Sequence, residues 1–245
     1  MKIPYMLHQI WSSKKMPLPD CFLELSETWK EKHPNWQYVF WDDEKMDCFM
    51  KEYFPQYIEV YNKFPYDIQR WDSIRYLILY QFGGVYVDFD VECLENIEPL
   101  LKNNCCFGSD VQENIVYSSL IQGDDYLNNT FMATVPGHPF FAKIIKHVFE
   151  GKQIPYSDSI YKLLYVLQTT GSIMLSNLKS KDDTGVYVIP ARYISPFSIT
   201  ESQLIRHGKF EQEWEDRLQQ AYAVHYFMGT WGYLNLKRVY GEFEK

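Results

Sequence analysis

The sequence predicts an α/β domain in which a mixed sheet is flanked by helices, and three observations carry that reading. Short β-prone runs alternate with helical periodicities along the chain. The run GGVYVDFDVE at 83–92 alternates apolar and polar residues from Val85 onward, as a half-buried strand does. With 245 residues the chain can bury a sizeable core unaided, and no repeat, linker or low-complexity tract divides it. Residues 1–245 are therefore expected to form a single domain.

The elements follow in order. Residues 7–11 read as a first strand, followed by a loop holding Pro17 and Pro19. Asp20 is a capping residue for a helix to about residue 32, which His33-Pro34 ends. Residues 37–41 form a second strand, and segments 43–53 and 55–63 are helical on either side of Pro55. A helix from Asp67 to Phe82 is stopped by Gly83-Gly84. Residues 85–91 make the clearest strand. Short apolar pieces between 105 and 135, separated by Asn, Asp and Gly, read as strands and site loops. Helices are expected at 138–151 and 157–178, and late strands at 186–190 and 221–227.

Composition narrows the function. Lys plus Arg number 24 against 32 Asp plus Glu, a net charge of −8, so the basic footprint of a nucleic-acid binder is missing. Five cysteines without a CxxC pair read as reduced packing residues, not a disulfide framework or zinc site. No run approaches the ~18 apolar residues of a membrane span, and MKIPYMLHQIW turns polar too soon for a signal peptide. A cytoplasmic location is the expectation. Any membrane contact would be peripheral, through the tail YLNLKRVYGEF, where Lys237 and Arg238 are too few to argue for it.

Chemistry concentrates around 68–92. On an unbroken strand Asp88 and Asp90 share one side, with Cα atoms about 6.5–7 Å apart. Paired carboxylates repel unless a cation lies between them, and oxygen ligands favour Mg²⁺ or Mn²⁺. In the preceding helix Asp72 and Arg75 are three residues apart and project together. Ile68 and Leu79 flank Asp72 on the helical wheel, so this acid faces away from bulk water and needs Arg75 as partner. The pair is then either a structural ion pair or part of the pocket of Asp88 and Asp90, with Arg75 free to hold a phosphate or sugar hydroxyl. Phosphate-loop, dinucleotide, zincin and serine-hydrolase signatures are all absent.

With these residues in hand, the chain resembles the DxD glycosyltransferases of family 32, which includes yeast-type initiating mannosyltransferases and bacterial capsular polysaccharide transferases. The likeness begins at IPYMLHQIW and continues through SETWKEKHPNWQYVFWDD. It is strongest in DIQRWDSIRYLILYQFGGVYVDFDVECLENIEPLL, and resumes in NNTFMATVPGHPF, TTGSIMLS and AVHYFMGTW. Trp71, Ser172 and Thr230 depart from the usual residues at their positions. The order HxxW, DxxR, DxD also suggests distant kinship to glucosylating clostridial toxins.

The resemblance implies a GT-A fold, a Rossmann-like mixed sheet binding a UDP- or GDP-sugar donor with Mn²⁺ or Mg²⁺. By position, Asp90 would ligate the metal and Asp88 would contact the ribose or the metal. Asp72 and Arg75 would hold the donor sugar, and Trp11 would stack on the base. His225 would be a third metal ligand, and Thr230 and Trp231 would reach the β-phosphate. Transfer would retain anomeric configuration, toward a saccharide or lipid-linked oligosaccharide acceptor in surface polysaccharide or glycan synthesis. Two competing readings are a glycoside hydrolase using Asp88 and Asp90 as its carboxylate pair, and a non-catalytic carbohydrate-binding domain built on the 18% aromatic content.

Overall fold

The computed structural model describes residues 2–115, 117–151, 154–156 and 161–229. The chain opens with β1 (Met6–Ile10), α1 (Asp20–Lys32), β2 (Gln37–Trp41), α2 (Asp43–Tyr53) and α3 (Ile58–Lys63). Then come α4 (Asp67–Phe82), β3 (Gly84–Val87), β4 (Val91–Cys93), β5 (Cys105–Gly108), β6 (Asn128–Thr134) and α5 (Pro139–Glu150). The last third holds α6 (Lys162–Thr169), α7 (Ser172–Leu178), β7 (Val186–Ile189), α8 (Ala191–Ile194), α9 (Ile199–Arg206), α10 (Glu215–Gln220) and β8 (Ala223–His225).

Six strands form the central sheet in the order β2-β1-β3-β6-β5-β7, and β4 pairs with β8 in a separate two-stranded sheet. In the main sheet only β6 runs against its neighbours. The mixed sheet is thus present, with helices packed on it. Alternation along each strand decides which face a side chain serves. Val85 and Val87 of β3 join Leu7, Phe131 and Trp29 on one side. Tyr86 joins Leu77, Met132, Phe107 and Phe141 on the other, where α4 and α5 lie.

The α4–β3 connection is where backbone geometry is most demanding. Gly83 and Gly84 have φ of 66° and 92°. A Cβ on Gly84 would stand 2.6 Å from the Met6 carbonyl oxygen, and one on Gly83 would stand 2.8 Å from that of Thr134. Glycine alone allows the helix to end and the next residue to enter the sheet between β1 and β6. His8, fully buried on β1, ties this corner together: Nε2 bonds the Gly83 carbonyl at 3.0 Å, and Nδ1 accepts from Trp41 Nε1 at 3.1 Å.

Several expectations need correction. The strand expected at 85–91 stops at Val87; the chain turns at 88–90 and enters a different sheet as β4. Asp88 and Asp90 therefore sit on a turn, drawn there by the Asp88 N–H to Thr130 carbonyl bond (2.9 Å) and the Tyr226 N–H to Asp90 carbonyl bond (2.8 Å). The helix expected over 157–178 is two helices broken at Thr170-Gly171, and 157–160 lie outside the described residues. A Cβ on Gly171 would meet Leu167 Cα at 2.9 Å. The strand expected at 221–227 spans only Ala223–His225. Pro19, not Asp20, occupies the cap of α1. All five cysteines are free, but Cys48 is exposed and is no packing residue.

Candidate active site

The carboxyl ends of β1, β3 and β5 open toward one cavity of about 540 Å³, the place where ligands enter open α/β sheets. Trp11, Asp72, Arg75, Asp88, Asp90 and His225 all line it. Six of the eight residues expected from sequence are thus gathered in one chamber. Thr230 and Trp231 lie outside the described residues, as does the 237–238 tail.

Arg75 is the hinge of the arrangement. Its Nη1 donates to Asp88 Oδ1 at 3.0 Å and to the Asn129 carbonyl at 3.1 Å, while Nε donates to the Trp71 carbonyl at 3.2 Å. Nη2 stands 3.3 Å from Asp72 Oδ1, and the guanidinium lies 4.5 Å from the centre of the Tyr86 ring. Burial opposes the charge on Arg75, but Asp88, Tyr86 and Asp72 hold it protonated. Most of its planar fork is therefore committed to protein, leaving one Nη2 hydrogen for a ligand.

Asp72 is equally engaged. Besides the ion pair, Oδ1 accepts from Asn129 Nδ2 at 2.8 Å and Oδ2 from Thr170 Oγ1 at 2.9 Å. At 3% exposure, burial pushes its carboxyl up to about 7 despite Arg75. The structural and functional readings of the Asp72–Arg75 pair converge: it is an internal ion pair that also faces the cavity.

Asp88 and Asp90 differ in their partners. Asp88 Oδ1 accepts from Arg75 and from the Tyr86 hydroxyl at 2.5 Å, and burial raises its carboxyl. Asp90 Oδ2 accepts from the Met228 N–H at 2.9 Å and faces His225 Nε2 at 3.4 Å. Burial would raise Asp90, but His225 and the Met228 amide hold it below the usual carboxylate range. His225 arrives because β8 pairs with β4, placing it opposite Val91. Burial lowers the imidazole's affinity for a proton, yet Asp90, Asp110 and Asp88 together raise it.

The donor set fits a divalent cation. Buried Asp72 and Asp110 and half-buried Asp88 and Asp90 line the cavity, with the buried Arg75 guanidinium among them. Among the described residues, Asp88 Oδ2 and Asp90 Oδ1 meet no donor from another residue. No three His, Cys, Asp or Glu side chains of the described residues are set to cage a metal by themselves. Mg²⁺ is characteristically held by one or two carboxylates and completed by substrate phosphates, so two open carboxylate oxygens suffice.

Trp11 lies just past β1, with its Nε1 on the Met16 carbonyl at 3.1 Å and its ring edge-on to Phe22 and Phe89. Half-buried on the cavity wall, it keeps part of the indole open to a planar ligand. Phe89, between the two acids, points into this aromatic group, stacking near Phe22.

Asn129, Thr170, Asn128 and Asp110 also shape the site and were not singled out from sequence. Their signals were faint: NNTF and TTG lie in segments far from 68–92 in the chain, and Asp110 sits in no pattern.

Residues 19–107 match the model of the glycosyltransferase sugar-binding region containing a DXD motif. The chain is 34% identical over 150 residues to inositol phosphoceramide mannosyltransferase 1 of Schizosaccharomyces pombe, covering 60% of this chain and 43% of that protein. It is 30% identical over 177 residues to a mannosyl phosphorylinositol ceramide synthase of Saccharomyces cerevisiae, covering 71% and 42%. The chain thus spans less than half the length of these relatives. Among solved structures, the PaToxG glycosyltransferase superposes with a TM-score of 0.56 at 13% identity, covering 91% of this chain and 89% of that one. The fold is that of the GT-A glycosyltransferases.

Proposed function

Taking residues 19–107 as the DXD-containing sugar-binding region of a glycosyltransferase, we propose that this chain transfers a sugar from a UDP- or GDP-sugar to a saccharide hydroxyl with Mn²⁺ or Mg²⁺. The observation that carries this reading is the ion-paired line Asp72–Arg75–Asp88, which shares one cavity with Asp90 and Trp11. The yeast relatives' names put mannose first among donor sugars to test, and a lipid-linked acceptor beside a free saccharide. Surface glycan synthesis is the corresponding role.

Asp88 Oδ2 and Asp90 Oδ1 would hold the cation, with His225 at its side. Bound there, the cation would supply positive charge to the departing diphosphate. Arg75 holds Asp88 in place and offers its remaining N–H to the donor, adding a preorganised positive field. Trp11 stacks on the base. Asp72 has both oxygens engaged, so it positions Arg75 and Asn129 and does not attack the sugar. The resemblance to family 32 supports transfer with retention, on the sugar face shared with the diphosphate, whose oxygen takes the acceptor proton.

The test is a thermal-shift panel of UDP, GDP and their sugars, with and without Mn²⁺. A ligand at about 100 times its Kd adds ~2.7 kcal/mol, roughly 5–10 °C for a chain of this size. One base should stabilise only with Mn²⁺, and Asp90→Asn should remove that dependence. If no common UDP- or GDP-sugar shifts the transition or is hydrolysed, the proposal fails.

A further inference from the structure

Three buried polar atoms at or next to the cavity lack a partner among the described residues: Asp110 Oδ1, Ser195 Oγ and His225 Nδ1. They are neighbours. Ser195 and His225 border one small void together with Asn128, and Asp110 feels both His225 and the Ser195 hydroxyl. Leaving one such group unsatisfied is costly, and three together at a single spot point to a shared arrangement that completes them.

Asp110 is held from behind in one orientation. The Thr130 N–H donates to Asn128 Oδ1 at 2.8 Å, which fixes that amide and turns its Nδ2 toward Asp110 Oδ2 at 2.7 Å. Oδ1 is thereby left over. Asp110 is 7% exposed, and among the described residues no Lys, Arg or His nitrogen forms an ion pair with it. A fixed, buried, unpaired carboxylate beside an imidazole with one unpaired nitrogen is the pattern of a carboxylate that orients a histidine.

We propose that Asp110 is the positioning residue for His225: its Oδ1 accepts the Nδ1–H, with the Ser195 hydroxyl as second donor, so that the Nε2 lone pair faces Asp88 and Asp90. The inference rests on reading His225 as a ligand of the proposed cation. With Asp90 engaged by that cation, Nε2 loses its carboxylate partner, and the ring's single proton belongs on Nδ1 beside Asp110.

The test uses [¹⁵N]histidine-labelled protein with Mg²⁺ at pH 8, reading the His225 ring by long-range ¹H–¹⁵N correlation, assigned with His225→Ala. Wild type should show the Nδ1–H tautomer and Asp110→Asn should lose it. Calorimetric Mn²⁺ affinity of the protein alone should fall 10–100-fold in Asp110→Asn. An Nε2–H tautomer in wild type overturns the proposal, and needs no variant to fold. Unchanged ring shifts with unchanged Mn²⁺ affinity in Asp110→Asn overturn it too. If wild type binds neither ion, the metal reading itself fails. The effect of Asp110→Asn on the metal-free ring then decides Asp110 separately, with unchanged shifts counting against it.

Discussion

His8 should make this protein acid-sensitive by a calculable amount. Its ring is buried on β1 between an obligate acceptor, the Gly83 carbonyl, and an obligate donor, Trp41 Nε1–H. These partners fix the neutral Nε2–H tautomer, because a proton on Nδ1 would point at the indole N–H. Burial lowers the imidazole to about 4 from 6.5, the Gly83 bond only partly offsetting it. Above pH 6.5 both folded and unfolded forms are neutral at this site and it contributes no pH dependence. Between 6.5 and 4 the unfolded chain binds a proton that the folded chain refuses, so stability falls as pH falls. At 1.36 kcal/mol per unit over about 2.5 units, the loss is ~3 kcal/mol by pH 4. Urea unfolding at pH 7.5, 6, 5 and 4.5 should compare wild type with His8→Gln, which keeps a donor for Gly83 but cannot titrate. Carboxylate effects are common to both proteins and cancel in the difference. At pH 7.5 the variant should be weaker by about 1–3 kcal/mol, from the unsatisfied Trp41 donor. Toward pH 4.5 that gap should close or reverse. A gap that stays constant across the series would refute the reasoning.

Three further outcomes follow from the site and its frame. Arg75→Met strands Asp72 and Asp88 without their shared cation and should cost about 3–5 kcal/mol in urea unfolding. Gly84→Ala, at φ 92° with its Cβ directed at the Met6 carbonyl, should lose at least ~1–3 kcal/mol of thermal stability from backbone strain alone. Trp11→Ala should weaken binding of the stabilising nucleotide by about 1–3 kcal/mol in calorimetry, while Trp11→Phe keeps most of it.

What was legible in the sequence was what neighbouring residues decide. The bounds of α1, β2 and α4 were readable because a proline, an aromatic β-prone run and a Gly-Gly stop act within a few residues. The Asp72–Arg75 pair was readable because helix geometry brings i and i+3 together. The break of β3 was not: alternation runs on through Asp88 and Asp90 while Thr130 and Tyr226, distant in sequence, turn the backbone aside. Nor was the split at Thr170-Gly171, where the Thr170 hydroxyl is held by Asp72 from 98 residues away. Asn129 and Asp110 reach the site only through the placement of β5 and β6, which no local pattern encodes.

The pairing of β4 with β8 sets a timetable for synthesis. The ribosome delivers Asp88 and Asp90 well before the middle of the chain, but the amide that caps Asp90 belongs to Met228, 138 residues later. His225 comes equally late, on the strand that zips against Val91. Until that strand emerges, Asp88 has Arg75 and Tyr86 as partners while Asp90 still waits for Met228 and His225. The nascent chain can therefore assemble its large sheet before the Asp90–His225 pair forms.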